Sequence, residues 1–296
     1  MTLVATANRK AGAALWRRPW LRGVLTLSPT LAWFLVIYLA SLVAMLVTAF
    51  FTVDPLTGNI QHTWTWSNFS AVLTQSDYRT IILRTVIMAA LVTVTDVIVA
   101  VPFAYFMAKV ATRRVRQVLI VLVLLPLWAN YLARVYAWVN ILSDKGLLPT
   151  VESHLGLPHT YIAYSNTAMW LVFCYLWLPF MVVPIYGAFE RVPDSLLEAS
   201  ADLGAGSFTT FRRVLLPLIL PGIVAGTIFT FSLTLGDFIT PLLIGGSSSY
   251  FIGNAIYDTA LVGGNLPLAA ALAFVSIAIM IVYLVVARIA GAFDAL

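Results

Sequence analysis

The sequence is poor in charged side chains. Of its 296 residues, 17 are basic and 12 are acidic, so 10% of the chain is charged, whereas soluble domains carry about 25%. Hydrophobic residues make up 61% of the chain, and the mean hydropathy is +0.95. So few polar residues cannot cover a water-facing surface, which excludes an ordinary soluble domain and indicates a protein that lies in a lipid bilayer.

Residues for several kinds of chemistry are also missing. With one cysteine, Cys174, the chain can form neither an internal disulfide nor a thiol-rich metal site. None of the lysines follows a glycine, so the phosphate-binding sequence G-x-x-x-x-G-K-[ST] does not occur, and neither H-E-x-x-H nor G-x-S-x-G is found. We therefore expect a chain that is not an enzyme and that itself binds no metal and no cofactor.

Six apolar runs are long enough to cross a bilayer, which takes about 20 residues in a helix. We predict transmembrane helices at 24–51, 80–108, 117–142 and 167–188, between Arg213 and Asp237, and from Pro267 to near Arg288. The predicted fold class is an all-α membrane protein with six transmembrane helices. We expect short interfacial helices in the outside segments, at 52–79, 143–166 and 237–266.

Most of the basic residues gather on one side of the bilayer if the N-terminus lies in the cytoplasm, as the positive-inside rule requires. This arrangement places both termini in the cytoplasm and explains the net charge of +5 without nucleic acid as a partner. It divides the chain into a cytoplasmic or interfacial segment at 1–23, a transmembrane domain at 24–290 and a cytoplasmic tail at 291–296. A long cytoplasmic loop falls at 189–213.

This loop contains the signals of a short helix. Ser195, followed three residues later by Glu198, predicts a capping box, and Gly204 suits the left-handed position that ends a helix. Ser207 is then placed to cap a second helical segment. One face of the first helix, at helical spacing, comprises Leu196, Ala199, Ser200 and Leu203. A helix over 195–204 has nothing of its own to pack against, so we expect it to dock on a partner.

The spacing of the loop resembles a known family. The pattern of Glu198-Ala199-Ser200, three residues, Gly204, nine residues and Val214-x-Leu216-Pro217 is similar to the EAA loop of permease subunits of ATP-binding cassette (ABC) importers. Ser200 replaces the second alanine and Val214 replaces isoleucine. In that family the loop is a coupling helix seated in a groove of the ATPase subunit. The resemblance implies this role for Glu198, Ala199 and Gly204, and the same helix adds Ser195, Ser200 and Asp202 as candidates. A helical hairpin that matches by coincidence is the alternative.

Four other stretches resemble the spermidine/putrescine-type permease group: LPLW at 125–128, RVYAW at 134–138, PGIVAG at 221–226 and LGDFITP at 235–241. The resemblance implies a multi-pass permease with the type I ABC importer fold, in a bacterial inner membrane. Its implied partners are a second permease chain, related but not identical, two ATPase subunits that hold ATP and Mg²⁺, and an extracytoplasmic solute-binding protein. The implied solute is a polyamine, putrescine or spermidine.

Three other functions stay open at this point. Permeases of the same group carry other small solutes, so an amino-acid-like compound, a phosphonate or an opine is an alternative to a polyamine. An ion-coupled secondary transporter or channel would show more buried titratable residues and would not need a glycine-terminated helix facing the cytoplasm. A membrane scaffold without transport would not need spans that proline and glycine interrupt.

Two charged residues fall deep inside predicted spans. An ionisable side chain at bilayer depth costs about 2.5 kcal/mol or more and is a candidate for function. At about 1.5 Å per residue, Asp96 lies about 20 Å and Arg134 about 26 Å from the turn that joins their helices. We hypothesise an Asp96–Arg134 ion pair, or a polar network that includes Asn130. Its role is either to hold two helices in register or to line the solute path.

Asp237 and Phe238 end the fifth predicted span on the outer side. A carboxylate beside an aromatic ring suits the ammonium groups of a polyamine. The stretch Gly236-Asp237-x-x-Thr240-Pro241 is equally typical of a turn that the aspartate caps. The sequence therefore leaves Asp237 with two expected roles, as a solute contact or as a cap.

Overall fold

The computed structural model describes residues 19–289 apart from 55, 157, 159, 247 and 248. The predicted cytoplasmic segment at 1–23 therefore lies mostly outside the described residues, and the predicted tail at 291–296 lies entirely outside them. The regular secondary structure of the described chain is helical apart from one small hairpin, in which β1 (Thr52–Val53) and β2 (Ile60–Gln61) pair antiparallel. This agrees with the predicted all-α class.

The helices of the described chain are numbered in order. They are α1 (Pro19–Thr48), α2 (Ser67–Thr74), α3 (Ser76–Tyr105), α4 (Arg113–Trp128), α5 (Tyr131–Leu142), α6 (Leu147–His154), α7 (Asn166–Glu190), α8 (Asp194–Asp202), α9 (Ser207–Thr210), α10 (Leu216–Gly236), α11 (Ile239–Ile244), α12 (Ile252–Tyr257) and α13 (Leu266–Ile289). Three π-helical segments, Phe106–Val110, Phe211–Leu215 and Asp258–Val262, directly follow α3, α9 and α12. The short helices α2, α6, α11 and α12 lie in the segments where short helices were expected.

Five helical stretches are long and apolar enough to cross a membrane. They are Thr26–Thr48, Ser76–Val110, Asn166–Glu190, Ser207–Gly236 and Leu266–Ile289, and they confirm five of the six predicted spans. The predicted third span at 117–142 is wrong as a continuous helix, because α4 ends at Trp128 and the helical segment that begins at Tyr131 is bent from it by 94°. A sixth span is present only if this bent pair is one crossing.

Local chemistry explains the break between α4 and α5. Pro126, in the last turn of α4, has no backbone N–H to donate. Ala129 is extended, with φ −79° and ψ 143°. The Asn130 side chain accepts a hydrogen bond of 2.9 Å from the Leu132 N–H, so this residue caps α5. Asn130 is therefore a helix cap rather than a member of the predicted network with Asp96.

The centre of the fold is a bundle of α3, α7 and α10, which contact one another most extensively. Gly222 lets α10 approach α7 closely, since a Cβ atom there would lie 2.6 Å from Ala188 Cβ and 2.7 Å from the Pro184 carbonyl oxygen. Gly226, one turn along, faces Met181 of α7 at similar range. Small residues four apart allow membrane helices to bring their backbones together. In contrast, α1 has no fully buried residue within Thr26–Thr48 and lies at the periphery.

Candidate functional site

The predicted docking helix is present as α8. It lies in the connection between two helices of the central bundle, since α7 ends at Glu190 and α10 begins at Leu216. The helix ends as predicted: Gly204 has a φ of +76°, and the Ala205 N–H donates to the Ser200 carbonyl oxygen at 3.0 Å. A Cβ atom at Gly204 would meet nothing within 4 Å, so glycine is required there for its backbone conformation rather than for space.

The predicted caps at the start of the two loop helices are wrong. α8 begins earlier than expected, with Pro193 in the cap position and no side-chain capping bond, so Ser195 already lies within the first turn. α9 likewise begins at Ser207 itself, and Gly206 takes the cap position. The cap position therefore lies two residues before Ser195 and one residue before Ser207.

Most of the candidate coupling residues lie on the surface. Ser195, Glu198, Ala199, Asp202 and Gly204 are all exposed. Two large apolar side chains of the same loop are exposed as well, Leu203 at 87% and Phe208 at 75%. Such exposed apolar side chains beside a short helix are typical of a surface that another protein covers.

Ser200 is different from its neighbours, because it faces inward. Its side chain is 8% exposed, and its hydroxyl lies 2.8 Å from the Thr210 hydroxyl of α9. The sequence pattern had placed Ser200 on the docking face with Ala199. The structure instead assigns it to the contact that holds α8 against α9.

A lysine that the sequence analysis did not select contacts the start of α8. Lys109 lies in the π-helical segment after α3, and its ammonium donates to the Val192 carbonyl oxygen and to Asp194 Oδ1, both at 2.6 Å. The lysine side chain is 9% exposed and that of Asp194 is 75% exposed. The hydrogen bond and the positive charge of Lys109 lower the pKa of the Asp194 carboxyl group. The two residues are 85 positions apart in the sequence, so no local pattern predicts this contact.

Arg116, near the start of α4, stabilises the turn between α3 and α4, close to Lys109. Its guanidinium donates to the carbonyl oxygens of Met107 at 2.9 Å and Ala108 at 2.8 Å, which satisfies acceptors at a helix end. It also lies 3.8 Å from Glu190, at the end of α7. The turn between α3 and α4 is thus tied both within itself and to α7.

Asp96 and Arg134 do not form the predicted ion pair: among the described residues, neither has a salt bridge. Asp96 is 1% exposed, and Arg134 is 9% exposed. The Cys174 thiol of α7 lies beside the Asp96 carboxyl group, yet neither carboxyl oxygen has a well-formed hydrogen bond. Arg134 instead lies beside the ring of Tyr131, three residues earlier on α5, with the guanidinium carbon 6.0 Å from the ring centroid.

Asp237 has the geometry of a turn cap. Its carboxylate accepts hydrogen bonds from the Ile239 N–H at 2.8 Å, the Thr240 N–H at 3.2 Å and the Thr240 hydroxyl at 2.7 Å. The Tyr131 hydroxyl donates to it as well. A carboxylate can accept about four hydrogen bonds, so these four donors fill its acceptor sites. Phe238 stacks on Tyr257 with centroids 5.2 Å apart, so both residues are engaged within the chain.

Two further buried groups in the central bundle have no hydrogen-bond partner, the Trp177 indole nitrogen and the Thr230 hydroxyl. Trp177 stacks on Tyr131 at 6.0 Å between centroids. From the sequence, the tryptophans near span ends are indistinguishable from ordinary core or interfacial residues.

Within the part of the chain that the structure describes, no group of His, Cys, Asp or Glu is arranged to hold a metal ion.

Comparison with known proteins adds a family and a set of relatives. Residues 91–295 match the family described as "binding-protein-dependent transport system inner membrane component". The chain is similar to the inner membrane ABC transporter permease protein YdcU of Escherichia coli (strain K12), with 42% identity over 97% of this chain and 95% of the relative. It is 36% identical to the spermidine/putrescine transport system permease protein PotB of Haemophilus influenzae, over 66% and 68% of the two chains. It is 35% identical to the molybdenum transport system permease protein ModB of Mycobacterium bovis, over 62% and 67%.

The fold also matches a solved structure. A bacterial ABC transporter involved in the import of the acidic polysaccharide alginate superimposes with a TM-score of 0.74, covering 94% of this chain and 98% of that chain. The sequence identity is 19%, so the match concerns the fold and not the solute.

Proposed function

The chain belongs to the family of binding-protein-dependent transport system inner membrane components, and we propose that it forms the membrane path for a polyamine such as putrescine or spermidine. The coarser function follows from the family: this is a multi-pass inner membrane permease subunit of a type I ABC importer, and it is not itself an enzyme. The polyamine is the finer step. It is supported by the similarity to the spermidine/putrescine permeases.

The proposed complex contains a second, related permease chain, two ATPase subunits and an extracytoplasmic solute-binding protein. The ATPase subunits hold ATP and Mg²⁺, which supply the energy of the cycle. The observation that carries the assignment is α8, an exposed glycine-terminated helix joined at both ends to the central bundle. We assign the docking surface on this helix to Ser195, Glu198, Ala199, Asp202 and Gly204.

In the proposed mechanism, α8 transmits the movement of the ATPase subunits to the spans. When the two ATPases close on ATP, the docked α8 is displaced together with α7 and α10, to which the backbone joins it. Because these two helices pack tightly through Gly222 and Gly226, they move as one body rather than bend. ATP and the loaded binding protein then each favour different members of a set of inward-open and outward-open states.

The solute is proposed to be cationic because of Asp96. A buried carboxyl group without a well-formed hydrogen bond is costly to keep in a membrane protein unless it has a use. Aromatic faces attract ammonium groups, and Trp177 presents such a face in the same bundle as Asp96. A protonated amine would supply the hydrogen bonds that this carboxyl group lacks.

Arg134 favours a second candidate solute. Its Nε and Nη1 atoms are buried and without partners, and an arginine recognises carboxylate or phosphonate groups. An amino-acid-like solute or an opine would use a carboxylate on Arg134 and an amine on Asp96, whereas a polyamine would use Asp96 alone.

Reconstitution tests the proposal. The chain would be purified with its companion subunits, placed in liposomes with ATP inside and the binding protein outside, and assayed for uptake of radiolabelled putrescine. We expect ATP-dependent accumulation that unlabelled spermidine competes and that amino acids and phosphonates do not. Accumulation of a labelled amino acid instead would overturn the polyamine assignment. Uptake by the isolated chain without an ATPase would overturn the importer assignment.

A further inference from the structure

The contact between Lys109 and the start of α8 combines an ion pair with a hydrogen bond to the backbone. A lysine ammonium offers three donors, and here two of them reach a backbone carbonyl and a carboxylate at 2.6 Å. Lysine is almost never buried unless it is paired. The set of Lys109, the Val192 carbonyl group and the Asp194 carboxylate is named the lysine staple below.

The lysine staple joins parts of the molecule that the backbone leaves separate. The backbone connects α8 to α7 on one side and, through α9, to α10 on the other. It gives α8 no direct connection to α3 or α4. Lys109 lies next to the turn at 111–112 between those two helices, so the staple attaches this hairpin directly to the start of α8.

Apolar packing alone would not fix this attachment. Val192 and Leu197 pack against a cluster that includes Met107 and Ala108, which resists separation of the surfaces. Apolar contacts are not directional, so such surfaces can slide past each other. Charge-assisted hydrogen bonds are shorter and more directional, and they hold the two parts in one register.

Hydrogen bonds of Arg116 hold the α3–α4 hairpin rigid near Lys109. Arg116 of α4 donates to the carbonyl oxygens of Met107 and Ala108, the two residues before Lys109. A displacement of Lys109 therefore carries the start of α4 with it. The hairpin is also the route to Asp96 on α3 and, beyond the break at Asn130, to Arg134 on α5.

We propose that Lys109 is a positioning residue for energy coupling, which transmits the displacement of α8 to the α3–α4 hairpin through the lysine staple. This inference rests on the proposed function, since it requires an ATPase that moves α8. Without the staple, α8 would still move α7 and α10, and the α3–α4 turn would be held to them by the Arg116–Glu190 contact at 3.8 Å and by apolar packing, neither of which fixes its register with the start of α8.

Distances between spin labels test the inference. In a Cys174→Ser background of the whole complex, nitroxides would be attached at Arg114→Cys on α4 and Thr209→Cys on α9, both at exposed positions. The distance would be measured without nucleotide and after trapping with ATP and vanadate. With Lys109 intact, we expect the two labels to move together and their distance to change by less than about 2 Å, the range of ordinary helix shifts. In Lys109→Met we expect a change of about 5 Å, the rise of one helical turn.

Three further variants separate coupling from folding. Lys109→Arg should restore the small change, because it keeps the charge and the donors. Asp194→Asn, at a side chain exposed to solvent, should give an intermediate change even if Lys109→Met fails to assemble. Arg113→Gln, which removes an exposed cation beside the same turn, should behave like the unaltered chain.

The outcomes distinguish the staple from the proposed function. If the unaltered chain retains no ATPase during purification, the importer assignment itself fails. If the ATPase is retained and Lys109→Met or Asp194→Asn shows the same small distance change as the unaltered chain, the staple is wrong and the importer assignment stands. A large change with Lys109 intact would also overturn the staple.

Discussion

At the scale of single residues, two buried aspartates differ in how well their carboxyl groups are hydrogen-bonded. Asp237 has four hydrogen-bond donors, whereas the carboxyl oxygens of Asp96 have no well-formed bond. A satisfied carboxylate stabilises the fold, and an unsatisfied one costs stability unless a ligand supplies what is missing. Substitution should therefore affect stability at Asp237 and uptake at Asp96.

Asp96→Asn should lower ATP-dependent putrescine uptake at least tenfold, a loss of about 1.4 kcal/mol. The amide removes the charge that attracts the amine. Thermal stability should stay the same or rise, because a neutral group is less costly to bury. Uptake into liposomes and the unfolding midpoint in detergent would be measured together. Asp77→Asn, at an exposed position in the first turn of the same helix, is the matched control. Normal uptake by Asp96→Asn would remove this residue from the solute path.

Asp237→Ala should show the reverse pattern. The substitution removes the acceptor of two backbone N–H groups and of one hydroxyl, because the Tyr131 and Thr240 hydroxyls lie 2.8 Å apart and can still bond to each other. Each such buried group without an acceptor costs about 1–3 kcal/mol. We expect a lower unfolding midpoint, and Asp237→Asn should recover part of the loss because its carbonyl oxygen still accepts. Assembled Asp237→Asn complexes should take up putrescine normally. If their uptake is lost while stability is kept, Asp237 is a solute contact after all.

The pKa of Asp194 predicts how the lysine staple responds to pH. Lys109 holds this pKa below its ordinary value of 3.8, so the stabilisation by the ion pair is fully present above that value. It is lost as the pH falls through the lowered pKa. The spin-label distance with Lys109 intact should therefore be constant from pH 8 down to about pH 5. A change near neutral pH would show that another group controls this contact.

At the scale of helices, the contact between α7 and α10 depends on residues that lack side-chain bulk. Gly222 and Gly226 lie against Ala188, Pro184 and Met181, and tertiary contacts of this kind replace the hydrophobic effect as the source of helix association in lipid. The break between α4 and α5 is a second element-scale feature, set by Pro126 and the Asn130 cap.

Gly222→Ala should destabilise the bundle by about 1–3 kcal/mol, the usual cost of overpacking. The new methyl group would lie 2.7 Å from the Pro184 carbonyl oxygen, which is backbone and cannot easily move away. Gly236→Ala, in the same helix and with nothing within 4 Å of its Cβ position, is the control and should be neutral. Unfolding midpoints of the two variants in detergent would be compared. Equal midpoints would mean that α7 and α10 adjust freely.

At the scale of the whole molecule, the described chain is a central bundle with one exposed helix, α8, joined to two of the bundle's spans. The exposed side chains of Leu203 and Phe208 belong to a surface that no described residue covers. We propose that a companion protein covers that surface.

Crosslinking should identify this companion. In the Cys174→Ser background, Ala199→Cys at the exposed face of α8 should form a disulfide or a short bifunctional crosslink with the ATPase subunit. Ser200→Cys is the matched control, because this neighbouring position is buried against Thr210 and should react several-fold less. Crosslinked products would be identified by mass spectrometry. Equal reaction at the two positions, or none at Ala199, would contradict the proposed docking face.

Local patterns predicted an exposed helix in the loop and its end at Gly204, and several of the errors have local causes as well. Gly204 ends α8 as expected because a left-handed backbone is favourable for glycine. Ser195 and Ser207 fail as caps because each already lies in the first turn of its helix. Asn130 caps α5, a common role for asparagine, and this cap marks the break in the third predicted span.

Hydropathy by itself determined the class of protein and five of the spans, since a helix in lipid satisfies all its backbone groups internally and needs only apolar length. The spacing around Gly204 likewise determined the exposed helix, because every signal lies within one short stretch. Only the tertiary structure decided the partners of charged side chains. Lys109 meets Asp194 across a separation of 85 positions, and Asp237 meets Tyr131 across 106, whereas Asp96 and Arg134 form no salt bridge among the described residues. Such contacts depend on how the helices are oriented against one another. Close packing at positions such as Gly222 sets this orientation, and the hydrophobic periodicity of a single helix does not contain it.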